Sequence, residues 1–244
     1  MPKKINIKGP IIPSSYQRVY DWFGIEATSP KRINELIDEA DGDDLEVEIN
    51  SGGGSVFAGS EIYTALKSYK GNVTVKIVGL AASAASVIAM AGKKIMMSPT
   101  GQLMIHNSST WTEGDYREMQ HTAEVLKTIN ETIANAYRLK TGKTKEELLE
   151  LMDNETWMSA NKALELNFID EIMFEDSNQY VANLNNSELL PPEVINKVLN
   201  IIAKENTSNE DETETNEVEN EIELSKAKLA LEIEASYFNL EEEF

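Results

Sequence analysis

Gly79-Leu80-Ala81-Ala82-Ser83-Ala84-Ala85-Ser86 decides how the rest of the chain is read. Upstream, Val73, Val75, Ile77 and Val78 make a strand-like run that ends at the glycine, and downstream small residues open a helix. Ser83 sits at that junction. At a strand's carboxyl end a serine hydroxyl lies where ligands of open α/β sheets bind, and the N–H groups that begin the next helix have no intrahelical acceptor. That placement suits a nucleophile beside an oxyanion site. The same letters also spell a close-packed helix whose small side chains let a neighbour approach, so the remaining sequence must decide between the two.

On the N-terminal side, residues 5–8 alternate as a short strand before the breakers Gly9-Pro10 and Pro13-Ser14. Ser29-Pro30 reads as an N-cap with proline at the first helical position, and Ile33, Leu36, Ile37 and Ala40 recur at helical spacing. Leu45, Val47 and Ile49 alternate with acids as a second strand, which runs into Asn50-Ser51-Gly52-Gly53-Gly54-Ser55. Three consecutive glycines open backbone torsions closed to other residues and let a ligand's main chain lie against the loop. A helix with Val56, Ile62, Tyr63 and Leu66 on one face leads to the strand before Ser83. Strand, helix, strand, glycine loop, helix, strand, serine, helix is the alternation of right-handed crossovers in a largely parallel sheet.

On the C-terminal side, residues 94–98 and 102–105 read as short strands, the second ending at His106. From 115 to about 140, Tyr116, Met119, Ala123, Leu126, Ile129, Ile133 and Tyr137 fall three and four apart, which predicts a helix about 35 to 40 Å long. That is more apolar stripe than a small core needs, and part of it is expected to meet another subunit. Residues 144–152 predict a further helix, Ser159 caps one reaching Leu166, and 169–174 reads as a last strand.

The chain carries a formal charge of −20 and no cysteine. The charge argues against nucleic acid and anionic membrane as partners, and the missing cysteines remove disulfides, thiolate metal sites and cysteine nucleophiles. No metal-ligand cluster has convincing spacing, so no cofactor is expected. Met1-Pro-Lys-Lys-Ile lacks the apolar core of a signal peptide and no run approaches a membrane span, which leads to the expectation of a cytoplasmic protein. Residues 205–244 hold 14 acids and 2 bases, so the acidity is concentrated in a tail. The expected domains are 1–175 as a catalytic domain, 176–204 as a weakly helical extension, 205–217 as an acidic disordered linker and 218–244 as a helical tail.

A serine attacks a carbonyl only when a base removes its proton, an acid orients that base and donors meet the oxyanion. Ser83, His106 and an acid near 153–155 supply one of each. His121, within the long helical pattern among glutamine and threonine, reads as a surface residue.

These residues resemble a family. Asn50-Ser51-Gly52-Gly53-Gly54-Ser55-Val56, Gly79-Leu80-Ala81-Ala82-Ser83, Met104-Ile105-His106 and Trp157-Met158-Ser159-Ala160 are similar to the motifs of the Clp protease proteolytic subunit, ClpP, in the same order over roughly residues 3–175. Asp-x-Glu-Thr-Trp at 153–157 and the acidic tail look most like the ClpP-related prohead proteases of tailed bacteriophages. The resemblance implies an α/β ClpP/crotonase-like fold, a largely parallel β-sheet with helical crossovers and a long protruding helix. It implies a serine endopeptidase that forms a homo-oligomeric ring and acts on protein substrates, namely phage scaffold and capsid proteins, in the host cytoplasm and the assembling procapsid. Ser83 would be the nucleophile, His106 the base, and the N–H groups of Gly54 and Ala84 the oxyanion hole, with Gly52, Gly53 and Ser55 in the substrate-binding loop. Glu155 occupies the position of the family's aspartate, and Asp153 is its rival. Gly52 replaces the family's proline, and Asn154 replaces an arginine that helps tie two rings together. Other readings are a housekeeping Clp peptidase working with an ATPase, a crotonase-type acyl-CoA enzyme, a Ser-Lys peptidase using Lys93 or Lys94, and an inactive capsid-assembly factor.

Overall fold

A computed structural model describes residues 2–175. Seven strands form one sheet: β1 (Lys3–Lys8), β2 (Leu45–Ser51), β3 (Val73–Ala82), β4 (Lys94–Met97), β5 (Gln102–Ile105), β6 (Thr156–Ser159) and β7 (Glu171–Ile172). The order is β1-β2-β3-β4-β7 with parallel neighbours throughout; β5 is a second parallel partner of β3, and β6 runs antiparallel to β5. The sheet is thus α/β and mostly parallel, as the alternation of elements predicts. In β2, Leu45, Val47 and Ile49 are buried, while Glu46 and Glu48 between them pair with Lys76 and Lys4. One strand therefore satisfies the core on one face and two neighbouring strands on the other.

The helices are α1 (Gln17–Trp22), α2 (Pro30–Asp38), α3 (Val56–Lys67), α4 (Ala84–Ala89), α5 (Tyr116–Thr141), α6 (Lys145–Asp153) and α7 (Ala160–Glu165). Their starts follow local chemistry. Ser29, Ser55 and Ser159 each accept a bond from an N–H three residues on, and Thr144 with Glu147 makes a full capping box. Such caps contribute roughly 1 kcal/mol each. Helix α1 has no sequence forerunner, because it buries no residue and so carries no apolar periodicity. Strand β6 has none either. His121 is exposed on α5.

The fork in β3 builds the site. Residues Thr74 to Ile77 lie opposite β4, but Leu80 to Ala82 lie opposite β5. Between the two halves the ladder to β2 slips, from Ile49 opposite Ile77 to Ser51 opposite Ala81. The Asn50 side chain covers the slip by accepting the Leu80 N–H at 3.1 Å. A Cβ at Gly79 would stand 2.5 Å from Asn50 Oδ1, so a larger residue there would push the Asn50 side chain off the Leu80 N–H. The strand does not stop at Val78 as the periodicity predicts. Ala81 and Ala82 carry it on because they are small enough to be buried between β2 and β5.

The extension, linker and tail expected at 176–204, 205–217 and 218–244 lie outside the described residues. Among the described residues, no helix is long and apolar enough to cross a membrane.

Candidate active site

Ser83 follows the last residue of β3 and precedes the first of α4. Its backbone is at φ 54° and ψ −125°, a region that residues with a Cβ rarely occupy and that costs on the order of 1–3 kcal/mol. The surroundings impose it. The Ser83 N–H donates to Met104 O at 3.0 Å, and its carbonyl accepts from Ser86 N–H at 3.0 Å, Ser86 Oγ at 2.6 Å and Val87 N–H at 3.3 Å. A strained strand-to-helix turn of this kind holds a serine hydroxyl clear of the sheet.

The same contact delivers the histidine. Because Ala82 lies opposite Met104 and Ser83 is bonded to Met104 O, the chain leaving β5 passes beside Ser83 two residues later. His106 Nε2 stands 2.8 Å from Ser83 Oγ. Two anchors fix the loop beyond it. Ser108 bonds through N–H and Oγ to Asn130 Oδ1 of α5 at 2.8 and 2.7 Å, and Asn107 Nδ2 donates to Asp153 Oδ1 at 2.6 Å.

The glycine loop closes the other side. Ser51 Oγ donates to Gly9 O and accepts the Gly53 N–H, while Ile11 pairs on both sides of Gly54, accepting from Ser55 N–H and donating to Gly53 O. Gly53, at φ 92°, leaves no room for a side chain: a Cβ would lie 2.6 Å from Ala82 O, 2.7 Å from Ser83 Cβ and 2.9 Å from Ala84 N. Neither the Gly54 N–H nor the Ala84 N–H donates to any described residue. One amide donor on the loop and one at the start of α4 thus flank the serine without a partner among the described residues, an arrangement able to receive a developing oxyanion. Gly52 and Ser55 lie on the loop's exposed and capping sides; Ser55 Oγ accepts from Ala58 N–H.

The acid is the part the structure does not assemble. Glu155 is exposed, sits at φ 45°, and its carboxylate accepts from Trp157 Nε1 at 3.2 Å. Asp153 is held by Asn107. Among the described residues no carboxylate is hydrogen-bonded to His106, so Ser83 and His106 are brought together and neither acid joins them. Asn154 caps α6 and returns its Nδ2 to Glu150 O.

The lysines weighed for a Ser-Lys mechanism are excluded by position. Lys94 lies opposite Thr74 at the far end of β3 and pairs with Glu171, and Lys93 bonds Asn72. Among the described residues no cluster of metal-ligating side chains occurs.

Several residues around the pair carry little signal in the sequence. Asn107 lines the cleft and its Oδ1 is buried without a partner. Asn130 signals itself weakly, as a poor helix former within a long helix. Ser86 and Tyr137 read as small-residue helix and apolar stripe, yet their hydroxyls are bonded at 2.8 Å in the core, where burial holds the phenol protonated far above its usual range.

Comparisons with known proteins bear on the family and the fold. The Clp protease family model matches residues 29–176. The ATP-dependent Clp protease proteolytic subunit 1 of Chlamydia muridarum is 34% identical over 158 residues, which cover 63% of this chain and 76% of that one. Subunit 2 of Tropheryma whipplei is 30% identical over 163 residues, covering 63% and 90%. For the proteolytic subunit of Deinococcus radiodurans the figures are 32% over 132 residues, 53% of this chain and 65% of the relative. Among solved structures, a point mutant of ClpP1 from Listeria monocytogenes shares the fold, with a TM-score of 0.58 and 24% identity over 70% of this chain and 91% of that one. With most of the described residues inside the matched region, the chain belongs to the Clp protease family of serine endopeptidases.

Proposed function

We propose that the protein hydrolyses peptide bonds with Ser83 as nucleophile and His106 as general base. The observation that carries this reading is the 2.8 Å approach of His106 Nε2 to Ser83 Oγ on a strained turn, beside the free N–H groups of Gly54 and Ala84. Ser83 Oγ attacks the scissile carbonyl as its proton passes to His106 Nε2, and the oxyanion takes bonds from the two amides. Collapse expels the amine, which leaves with the proton from His106. Water then attacks the acyl-serine by the same route, releasing the acid and restoring the hydroxyl. Glu155 is the orienting carboxylate, and in the productive arrangement it exchanges Trp157 Nε1 for the His106 Nδ1–H. Asp153 anchors the histidine loop through Asn107.

The working unit is a homo-oligomeric ring. Ile133 and Tyr137 of α5 are buried in the protomer, but its first half exposes Tyr116, Met119 and Val125 by 71, 42 and 42%. Soluble monomers leave such stripes bare only at some cost in solubility. Light scattering at micromolar concentration is expected to give a mass several times 27.2 kDa. A monomer with full peptidase activity would contradict the ring.

Its substrates are the scaffold and capsid proteins of a tailed bacteriophage. Support comes from the Asp-x-Glu-Thr-Trp text at 153–157 and the acidic tail, both of which resemble prohead proteases. Coexpression with the neighbouring capsid and scaffold proteins, wild type against Ser83→Ala, should produce new termini only with the wild type. The second reading, a general peptidase subunit served by an ATPase, is favoured by the names of the curated relatives, all ATP-dependent subunits. Intact capsid proteins together with degradation of an unrelated substrate on addition of a Clp ATPase would favour it.

A further inference from the structure

Beside Ser83 a cleft runs between Val56, Ala84, Val87 and Ile133, and Tyr137 forms its floor. Its free volume is about 10 Å³, the least that a single water needs. A peptide whose carbonyl carbon meets Ser83 Oγ and whose carbonyl oxygen points to Gly54 and Ala84 carries its preceding side chain into this cleft. Ser83, His106 and Ala84, the groups that would hold the scissile carbonyl, themselves line the cleft, and Val87 continues its wall one turn further along α4.

The floor is anchored. Ser86 Oγ gives its one hydrogen to the Ser83 carbonyl at 2.6 Å, so in the 2.8 Å contact between Ser86 Oγ and the Tyr137 hydroxyl the phenol must be the donor. The proton order is therefore Tyr137 to Ser86 to the Ser83 carbonyl. The ring is 1% exposed and packs 5.7 Å from Phe168. Moving Tyr137 aside would open a gap against Phe168, strand a buried hydroxyl and loosen the carbonyl that keeps Ser83 in its strained conformation.

We propose that Tyr137 is a specificity-determining residue that restricts cleavage to bonds after glycine, alanine or serine, because the fixed phenol leaves no space for a larger side chain. The inference rests on Ser83 being the nucleophile. Discrimination by a filled pocket is worth about 10- to 200-fold per misfit methylene group, so leucine, methionine and phenylalanine should fall at least tenfold behind alanine.

Peptidyl phosphonates that differ only in the residue carrying the phosphonate test this on the full-length protein, with the adduct located by mass spectrometry. The alanine probe is expected to modify Ser83 at least tenfold faster than the leucine and phenylalanine probes. Tyr137→Phe, which keeps the ring and removes the anchor, should narrow that ratio, as should Val87→Ala, which widens the wall without touching the core tyrosine. Equal rates for alanine and phenylalanine in the wild type overturn the inference while leaving Ser83 as the nucleophile. Failure of every probe to modify Ser83 overturns the nucleophile assignment, and the inference with it.

Discussion

Ser83→Ala is expected to lower kcat on a peptide substrate to the limit of detection, with His106→Ala nearly as severe and the double variant no worse than either. In serine peptidases the two side chains act as one unit, and losing either costs on the order of 10⁶ in kcat. Here the unit is visible as one 2.8 Å contact between residues brought together by β3, β5 and the bond from Ser83 N–H to Met104 O. Effects that multiplied in the double variant would mean that the two groups act in separate steps. Folding should be undisturbed by Ser83→Ala, since none of the bonds that shape the turn uses Ser83 Oγ; the thermal midpoint is the control.

Glu155→Gln should cost about 10⁴ in kcat, the loss expected when the orienting carboxylate is replaced by an amide that favours the wrong tautomer of the base. Asp153→Asn should cost far less. Asp153 holds Asn107 rather than the histidine, so its loss slackens a loop that Ser108 and Asn130 still anchor. The contrast is sharp because the two acids are two residues apart and both exposed to solvent, so a general electrostatic effect would touch both alike. A crippled Asp153→Asn beside a mild Glu155→Gln would reverse the assignment and make the Asn107 to Asp153 bond the resting form of the triad.

The sequence shows the parallel α/β sheet plainly where burial is one-sided. Leu45, Val47 and Ile49 in β2 alternate with charge, and Ile133 and Tyr137 of α5 keep helical spacing because they face a core. Ser83 and His106 are legible for a different reason: each follows directly on an apolar strand, where the chain must turn and a polar side chain is conspicuous. Legibility fails where the decisive contact is made across the fold. The extension of β3 through Ala82 depends on β5 arriving beside it, and no local propensity announces that. Helix α1 buries nothing and β6 is four residues whose partner lies more than fifty positions back, so neither leaves a periodic trace. Tyr137 and Ser86, 51 residues apart, read as ordinary apolar and small positions until the structure places their hydroxyls 2.8 Å apart. The acid fails for a third reason. Residues 153–157 offer two carboxylates within one turn, and the order of residues does not say which donor each will find.

Labelling with a simple fluorophosphonate tests whether Ser83 and His106 form an activated pair, without any assumption about substrate. A single adduct is expected on the peptide that contains Ser83, absent in Ser83→Ala and strongly slowed in His106→Ala. A folded wild-type protein that takes no label, or that carries it on another serine, would contradict the activated pair.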